Sequence, residues 1–296
     1  MPSFRGTLFF NPSSGIRFPA AEASELEERA REAGLEFIRF APQVDVSAMT
    51  REQIRAGRRL FIAAGGDGTI GGVVQTLVHS EAKLGVIPVG TYNHFARDLN
   101  LPLDWREALD VALTGATRQV DAGRVNERFF INNISIGLYP ELVARREERG
   151  RDYPRWKARL HAAYATLRKY PHVTLRIETE YLNEIVRTHV FVISNNSYDL
   201  SRIGVEAPRN TLEGGRLSVY WMPHMPRIAL MRFLAHYLAG RVKTAPGFRS
   251  FRTTHLKVQS PRKRLHLGVD GEVVTMVPPL VITIVPHALL VKVARE

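Results

Sequence analysis

Cysteine is absent from the 296-residue chain. Its absence excludes disulfide bonds, thiolate zinc sites and a cysteine nucleophile. It is also compatible with a cytoplasmic protein, which is the location we predict. Hydrophobic residues make up 45% of the sequence, and this content argues against a disordered chain.

Long apolar runs are missing as well. The most apolar late segment, VVTMVPPLVITIV (273–285), is too short to span a bilayer, and its paired prolines and β-branched residues favour strands. The N-terminal MPSFRGTLFF lacks the charged region, apolar region and cleavage site of a signal peptide. The sequence therefore predicts neither a transmembrane segment nor a secretory leader.

Acidic residues are in deficit. Lys and Arg number 41 against 29 Asp and Glu, which gives a net charge of +12 and a pI near 10.3. Such a surface attracts nucleic acid, an anionic lipid leaflet or a phosphorylated small molecule, and the charge alone does not choose among them. The sequence has no basic stripe interleaved with aromatic residues and no nucleic-acid motif, so we do not predict a nucleic-acid partner.

The sequence changes texture near residue 121. From 1 to 121, strand-like runs alternate with helical ones, as is typical of a mostly parallel, doubly wound α/β sheet. From 122 to 286, short strand-like runs with frequent turn signals predict an antiparallel β-sandwich or barrel-like domain. Residues 287–296 are predicted to return to the first domain.

Helices are predicted from apolar spacing and from signals at their ends. In the first domain they cover 20–33, 50–58, 70–79 and 105–113, the last with Asp104 as its N-cap. In the second domain two helical segments, 153–170 and 226–238, carry apolar stripes that we expect to pack on the sheet. A membrane-facing role is the alternative, because many basic residues lie near both segments.

The stretch FIAAGGDGTIGG (61–72) ends a predicted buried strand and begins a predicted helix. Ligands of open α/β sheets bind at such strand ends, where glycines let backbone N–H groups approach phosphate oxygens and the helix N-terminus is positive. Asp67 would repel phosphate, so it indicates a magnesium ion or a proton to be received. An ordinary glycine turn is the alternative interpretation of this stretch alone.

Two further strand ends resemble it in composition. NPSSG (11–15) and VGTYNHFARDL (89–99) again combine glycine with hydroxyl and amide side chains. Three such ends in one sheet can converge on one ligand, which favours a phosphate site. The chain lacks GxxxxGK[ST], and its glycines do not form the dinucleotide fingerprint, so neither of those phosphate sites is predicted. VDGEV (269–273) is first of all a hairpin turn signal.

In combination these motifs resemble the diacylglycerol kinase catalytic family, which includes bacterial lipid kinases and the sphingosine and ceramide kinases. The matching stretches follow the family's order from residue 11 to residue 272: NPSSG, AAGGDGTIGGVV, PVGTYNHFARDL, QVDAGRVNERFFINNISIG and VDGE. NAD kinases and phosphofructokinases share similar glycine-aspartate loops, but GTYNHFAR and the late DGE separate the chain from them. The resemblance implies a nucleotide-binding α/β domain, a lipid-binding β-sandwich, and ATP and lipid in the cleft between them.

The resemblance also implies roles for individual residues. Asp67 would lie near the magnesium-phosphate group, Asp121 would join an acidic network there as a second metal-binding residue, and Glu272 would be the general base. The residues that would bind ATP lie at the strand ends and are Asn11, Gly65, Gly66, Gly68, Thr69, Thr91 and Asn93. Two positions depart from the family's pattern: His94 replaces a common aspartate, and Gly214 replaces the aspartate that helps bind a structural magnesium ion.

The activity that the resemblance implies is transfer of the γ-phosphate of ATP to a hydroxyl of a lipid such as diacylglycerol, a sphingoid base or ceramide. Magnesium would be required, and the enzyme would bind peripherally to an anionic membrane surface. Two alternatives stay open. One is a kinase for a soluble acceptor, because NAD kinases share the glycine-aspartate loop. The other is a nucleotide-binding protein without turnover, because of His94 and Gly214.

Overall fold

The computed structural model describes residues 4–14, 18–41, 44–137, 172–197, 212–224, 226, 228–229 and 249–295. The predicted helix 153–170 lies outside these residues, as does almost all of the predicted helix 226–238. Within the described residues, no helix combines the length and apolar composition that a membrane span requires.

The first domain is a parallel sheet with helices on both faces. The described residues of this domain form the parallel strands β1 (Gly6–Phe10), β2 (Leu35–Arg39), β3 (Leu60–Gly65) and β4 (Lys83–Pro88). Its helices are α1 (Ala20–Glu32), α2 (Val46–Arg55), α3 (Asp67–Leu77), α4 (His94–Asp98) and α5 (Trp105–Thr114). The strands lie in the order β2-β1-β3-β4 and all neighbours are parallel, so the predicted doubly wound fold is confirmed.

Apolar residues on both faces of the strands explain why helices cover the sheet twice. On one face, Leu26 of α1 and Leu109 of α5 pack in a single buried cluster. On the other face, Val74 of α3 and Phe95 of α4 belong to a second cluster. Strands β1, β3 and β4 are therefore buried on both sides, as the strands of parallel sheets usually are, whereas the edge strand β2 is only partly buried.

Capping residues account for where the helices begin. The predicted N-cap of α5 is confirmed, since the Asp104 side chain accepts hydrogen bonds from the N–H groups of Arg106 and Glu107. The α2 helix begins four residues earlier than predicted because the Asp45 side chain caps it. The α3 helix begins at Asp67 instead of residue 70, so the GGDGT motif covers the last residue of β3, the N-cap Gly66 and the start of the first turn of α3.

The second domain is an antiparallel sandwich, as predicted. Its strands are β5 (Ala116–Val125), β6 (Arg128–Phe130), β7 (Asn133–Gly137), β8 (Val173–Glu178), β9 (Asn183–Ser194), β10 (Leu217–Pro223), β11 (Arg249–Thr253), β12 (His255–Gln259), β13 (Leu265–Val269), β14 (Glu272–Met276) and β15 (Leu280–Val293). One half of β9 pairs with β8 and the other half with β7 and β10, so β9 joins the two layers. Inward-facing residues from both layers form one buried core.

Two long strands, β5 and β15, run through both domains. They pair antiparallel with each other, and β15 also pairs parallel with β4 at Leu290 and Val291. Val125 and Ile284 belong to the core of the sandwich, whereas Ala122 and Ala288 belong to a core of the first domain. The core thus changes between residues 122 and 125 and again between 284 and 288, close to the boundaries that we propose, which are 1–121 and 122–286 with 287–296 returning to the first domain.

Candidate active site

The carboxyl ends of β1, β3 and β4 lie at one edge of the parallel sheet and contact one another. The Asn11 side-chain amide donates a hydrogen bond of 3.0 Å to Oγ1 of Thr69. Gly90 packs its backbone directly against Gly66, since a Cβ atom at residue 90 would lie 2.4 Å from Cα of Gly66. The structure therefore brings the three predicted strand-end motifs together.

Asp67 is the centre of this contact region. Its Oδ2 accepts a hydrogen bond from the backbone N–H of His94 (3.3 Å), and its Oδ1 accepts one from that of Phe95 (3.2 Å). Oδ1 also accepts a bond of 3.1 Å from the side-chain amide of Asn132, in the second domain. Asp67 thus connects the first turn of α3 to α4 and to the sandwich.

Asn93 shapes the loop before α4. Its backbone is left-handed (φ 53°), its side-chain oxygen accepts from the N–H of Gly90, and its amide donates to the carbonyls of Pro88 and Gly90. These bonds lie within the loop, so Asn93 stabilises the conformation of the loop.

Thr91 is exposed on the same loop. His94 is exposed as well, and its ring stacks on Tyr92 with 5.6 Å between centroids.

Glu272 reaches this region from the second domain. Its Oε2 accepts a hydrogen bond of 2.6 Å from a guanidinium nitrogen of Arg128. Its Oε1 lies against Gly68, where an added Cβ atom would come within 2.9 Å of that oxygen. The β13–β14 hairpin therefore places the side chain of Glu272 directly over the first turn of α3.

Asp270, two residues before Glu272, is a site residue that the sequence interpretation missed. It lies at the hairpin turn with φ 47°, and its buried carboxylate accepts hydrogen bonds from the N–H groups of Ile131, Asn132 and Asn133. Burial raises the pKa of Asp270 to about 6, against the effect of these three hydrogen bonds. An Asp-Gly pair indicates only a turn, so the sequence near Asp270 does not predict its hydrogen bonds to the distant N–H groups.

Asp121 is buried where β5 meets two other segments. One carboxylate oxygen accepts a hydrogen bond of 2.7 Å from the N–H of Gly215, and the other accepts one of 2.9 Å from that of His287. Glu213 forms an ion pair of 3.1 Å with Arg118 instead of turning toward Asp121. In the described ranges, no three acidic or histidine side chains form a group that could hold a metal ion.

Asp98 is a second acid near the site that the sequence interpretation did not select. Desolvation raises the pKa of its carboxyl group, and a hydrogen bond with the Asn196 side chain opposes that effect. It interacts electrostatically with both His94 and Asp67. The α4 helix therefore carries a histidine and an acid beside the Asp67 contacts.

The raised pKa of Asp270 predicts a pH dependence of stability. The carboxyl group of Asp270 binds its proton more tightly in the folded protein than in the unfolded chain, where its pKa is near 3.8. The contribution of this group to the free energy of unfolding therefore falls as the pH rises through 6. Relative to Asp270→Asn, the wild type should lose about 1 kcal/mol of unfolding free energy between pH 5 and pH 7. Urea denaturation of both proteins at three pH values measures this difference. A difference that does not change with pH would contradict the raised pKa.

Comparisons with known proteins agree with this two-domain arrangement. Residues 5–125 match the sequence model of the diacylglycerol kinase catalytic domain. Residues 139–293, just over half of the chain, match that of the YegS C-terminal NAD kinase beta sandwich-like domain. The two matches follow the two domains in order.

Relatives with the name diacylglycerol kinase match the chain over part of its length. The protein from Staphylococcus carnosus (strain TM300) is 34% identical over 142 residues, which are 47% of this chain and 46% of the relative. The protein from Staphylococcus epidermidis (strain RP62A) is 37% identical over 137 residues, 45% of this chain and 43% of the relative. The chain thus matches somewhat less than half the length of these curated relatives.

A solved structure matches over nearly the whole chain. The crystal structure of a protein from Bacillus anthracis str. Sterne, provisionally named a diacylglycerol kinase, superposes with a TM-score of 0.73. The match covers 98% of each chain at 18% sequence identity, so it establishes the fold alone.

Fold and matches together define a two-domain protein of the diacylglycerol kinase type, and the resemblance found in the sequence is confirmed. The chain belongs to the family of the YegS C-terminal NAD kinase beta sandwich-like domain, with a diacylglycerol kinase catalytic domain in front of it.

Proposed function

We propose that the protein is an ATP-dependent lipid kinase, which transfers the γ-phosphate of ATP to a hydroxyl group of a lipid. The observation that carries this proposal is the position of Glu272. A carboxylate of the sandwich domain lies against Gly68 in the glycine-rich first turn of α3. A base from one domain and a phosphate-binding element from the other therefore meet at one place, as transfer between two bound substrates requires.

The nucleotide would bind at the joined strand ends of the first domain. Among the described residues, no side chain caps the backbone N–H groups at the start of α3. Such groups bind phosphate oxygens readily. Thr69 lies in the same turn and is hydrogen-bonded to Asn11, so the two can present their polar atoms together. The proposed set is completed by Gly65, Gly66, Thr91 and Asn93.

The proposed reaction is an in-line displacement at phosphorus. The oxygen of the lipid hydroxyl donates an electron pair to the γ-phosphorus, and the bond from that phosphorus to the bridging oxygen breaks, so that ADP leaves with the electron pair. Glu272 accepts the proton of the hydroxyl group as the new bond forms. The chain's main contribution is to position both substrates and to keep the base beside the acceptor.

Magnesium fits the residues at Asp67. Asn132 donates to Asp67, and its own side-chain oxygen is buried without a hydrogen-bond partner among the described residues. Oxygen atoms of a carboxylate and an amide, together with phosphate oxygens, are ligands that magnesium prefers. Bound magnesium would neutralise charge on the phosphate groups. Asp121 is the second residue that we propose for metal binding. The side-chain amide of Asn195 donates hydrogen bonds to the backbone carbonyls of Asp121 and Ile131, and Ile131 is next to Asn132 in the sequence.

A lipid panel tests the proposed function. The purified protein is incubated with radiolabelled ATP, magnesium and detergent-dispersed diacylglycerol, phosphatidylglycerol, sphingoid base or ceramide, and the products are identified by mass. Transfer of label to at least one lipid is the expected result. Folded protein that binds ATP and labels none of these lipids would contradict the proposal.

A soluble acceptor is the second candidate, favoured by the match of the second domain to an NAD kinase-like sandwich. The same assay without lipid, supplied with NAD or a sugar phosphate, discriminates between the two. Label in the soluble acceptor alone would support the second candidate. Saturable ATP binding with no labelled product in either assay would instead support a nucleotide-binding protein without turnover.

We also propose that the protein binds peripherally to an anionic membrane surface at the cytoplasmic side. The connection between β12 and β13 exposes Arg262, Lys263 and Arg264, and the next connection exposes 64% of Val277. Leu265 pairs with Met276, so both connections leave the same edge of the sandwich. The segments 255–269 and 273–295 contain no acidic residue. Together these features form a basic edge, consisting of Arg262, Lys263, Arg264 and Val277.

Charge reversal tests the basic edge. Each cation near an anionic bilayer contributes about 1 kcal/mol, so Lys263→Glu with Arg264→Glu should weaken binding to phosphatidylglycerol vesicles at least about 30-fold. Vesicle sedimentation measures the effect, with phosphatidylcholine vesicles for comparison. The matched control is Arg55→Glu with Arg59→Glu, two exposed arginines of the first domain. Equal losses in both double variants would show a general charge effect and no specific edge.

A further inference from the structure

We propose that Arg128 is a positioning residue, which holds the carboxylate of Glu272 in place so that one of its oxygens faces the phosphate-binding turn. This inference rests on the proposed function, in which Glu272 is the base. Arg128 is the first residue of β6 and lies within the stretch QVDAGRVNERFFINNISIG, for which the sequence analysis gave a role to Asp121 and none to Arg128.

The two oxygens of Glu272 have different surroundings. Oε2 is 2.6 Å from a guanidinium nitrogen of Arg128. Oε1 faces Gly68 in the first turn of α3. An arginine that occupies one oxygen leaves the lone pairs of the other available for the proton of an acceptor hydroxyl. The ion pair with Arg128 therefore holds Oε2 in place and leaves Oε1 to accept the proton.

Arg128 is itself placed by bonds to the first domain. Its neighbour Phe129 donates its backbone N–H to the side-chain oxygen of Gln75 (2.9 Å) and accepts from the Gln75 amide (2.8 Å). Gln75 lies on α3, two turns after Gly68. The backbone that carries Arg128 is thus fixed to the same helix whose first turn Glu272 contacts.

Glu272 is tied to the same segment through its hairpin. Asp270, at the β13–β14 turn, accepts hydrogen bonds from the N–H groups of Ile131 and Asn132, directly after β6. The side chains of Gln75 and Asp270 therefore hold the backbone on either side of Phe130, and these bonds set the separation between Arg128 and Glu272. The Glu272 side chain is half exposed, at 51%, and has three rotatable bonds, so its backbone position alone does not orient the carboxylate. The ion pair with Arg128 supplies that orientation.

The absence of a side chain at Gly68 completes the arrangement. A Cβ atom there would lie 2.9 Å from Oε1 and 3.6 Å from the carboxyl carbon of Glu272, so the flexible side chain would have to move. Gly68 thus allows the base to lie directly over the turn. A methyl group at this position would push Oε1 away from the turn while Arg128 retains Oε2.

Turnover measurements with matched variants test the role of Arg128. Arg128→Ala should lower kcat about 10- to 100-fold, with the dissociation constant for ATP changed less than about twofold, because loss of orientation affects the transition state. Arg128→Lys and added guanidinium ion should each restore part of kcat. The double variant Arg128→Ala with Glu272→Gln should be no slower than Glu272→Gln alone. Arg124→Ala, an exposed arginine on the neighbouring strand β5, is the control.

A chemical measurement tests the contact without any turnover. Glu272 is modified with a water-soluble carbodiimide and an amine, and the labelled peptide is quantified by mass spectrometry. Removal of Arg128 should raise the rate of modification several-fold, whereas Arg124→Ala should leave it unchanged. An unchanged rate in Arg128→Ala would overturn the proposal even if the protein phosphorylates no lipid.

The outcomes separate this inference from the proposed function. A protein without lipid kinase activity, or full activity of Glu272→Gln, contradicts the proposed function and removes the reaction that the positioning would serve. Normal kcat in Arg128→Ala, with a slow Glu272→Gln, contradicts the inference alone. A large loss of ATP affinity in Arg128→Ala, or a further loss in the double variant, would show that Arg128 acts on the phosphates and not through Glu272.

Discussion

Glu272→Gln is expected to lower kcat by about 10²- to 10⁴-fold, which is the range that removal of a positioned general base produces. Glutamine retains the size of the side chain and the oxygen that can accept from Arg128, but it cannot take up the proton of the acceptor hydroxyl. ATP affinity should change less than about twofold, because Glu272 lies on the sandwich and the proposed nucleotide contacts lie on the first domain.

Glu127→Gln is the matched control for this experiment. Glu127 is exposed and lies in the turn before β6, so the substitution removes the same charge at the residue next to Arg128. Single-turnover measurements with saturating ATP and lipid compare the two variants. Turnover of Glu272→Gln within about threefold of the wild type would show that another group takes the proton, because the expected loss is at least about 10²-fold.

Asp67→Asn is expected to affect both stability and activity. Asp67 accepts hydrogen bonds from the N–H groups of His94 and Phe95 and from the amide of Asn132. An asparagine has one accepting oxygen and would direct an NH₂ group toward a donor. Loss of such bonds at a partly buried position costs about 1–3 kcal/mol of unfolding free energy. Loss of a preorganised polar contact at a reacting phosphate lowers kcat about 10²- to 10³-fold.

Two measurements separate these effects of Asp67→Asn. Urea denaturation gives the unfolding free energy, and steady-state kinetics at a temperature where both proteins are folded gives kcat. Asp110→Asn, on the exposed face of α5, is the control for charge. A variant that loses stability but keeps full turnover would restrict Asp67 to joining α3 and α4, with no part in the reaction.

Much of the first domain follows from local patterns in the sequence. Apolar runs end in glycine-rich turns, and parallel strands of one sheet end at one edge, so the meeting of the loops after β1, β3 and β4 is a consequence of topology. The first residue of a helix is predicted less accurately where the capping residue precedes the apolar pattern, as Asp45 does at α2. The short helix α4 was not predicted, because its five residues are too few for a periodic signal.

The site was predictable in its residue types and not in its contacts. Gly68 and Glu272 were both selected by motif, but a motif does not indicate that Oε1 of Glu272 lies against Gly68. Asp270 gives the clearest case. Its Asp-Gly pair is a turn signal, while its hydrogen-bond partner Ile131 lies 139 positions away in the sequence. Arg128 is one basic residue among 41, and only its pairing with Glu272 distinguishes it.

The sequence by itself determined the α/β and all-β halves, the parallel sheet of the first, and the glycine-rich turn that begins α3. These features depend on side-chain periodicity and on turn chemistry within a few residues, which a linear pattern records. Only the tertiary structure decided which carboxylates meet backbone N–H groups and which face the turn. Those contacts depend on where β5 and β15 place the sandwich against the first domain, and on burial, which raises the pKa of Asp270 and which no linear pattern records.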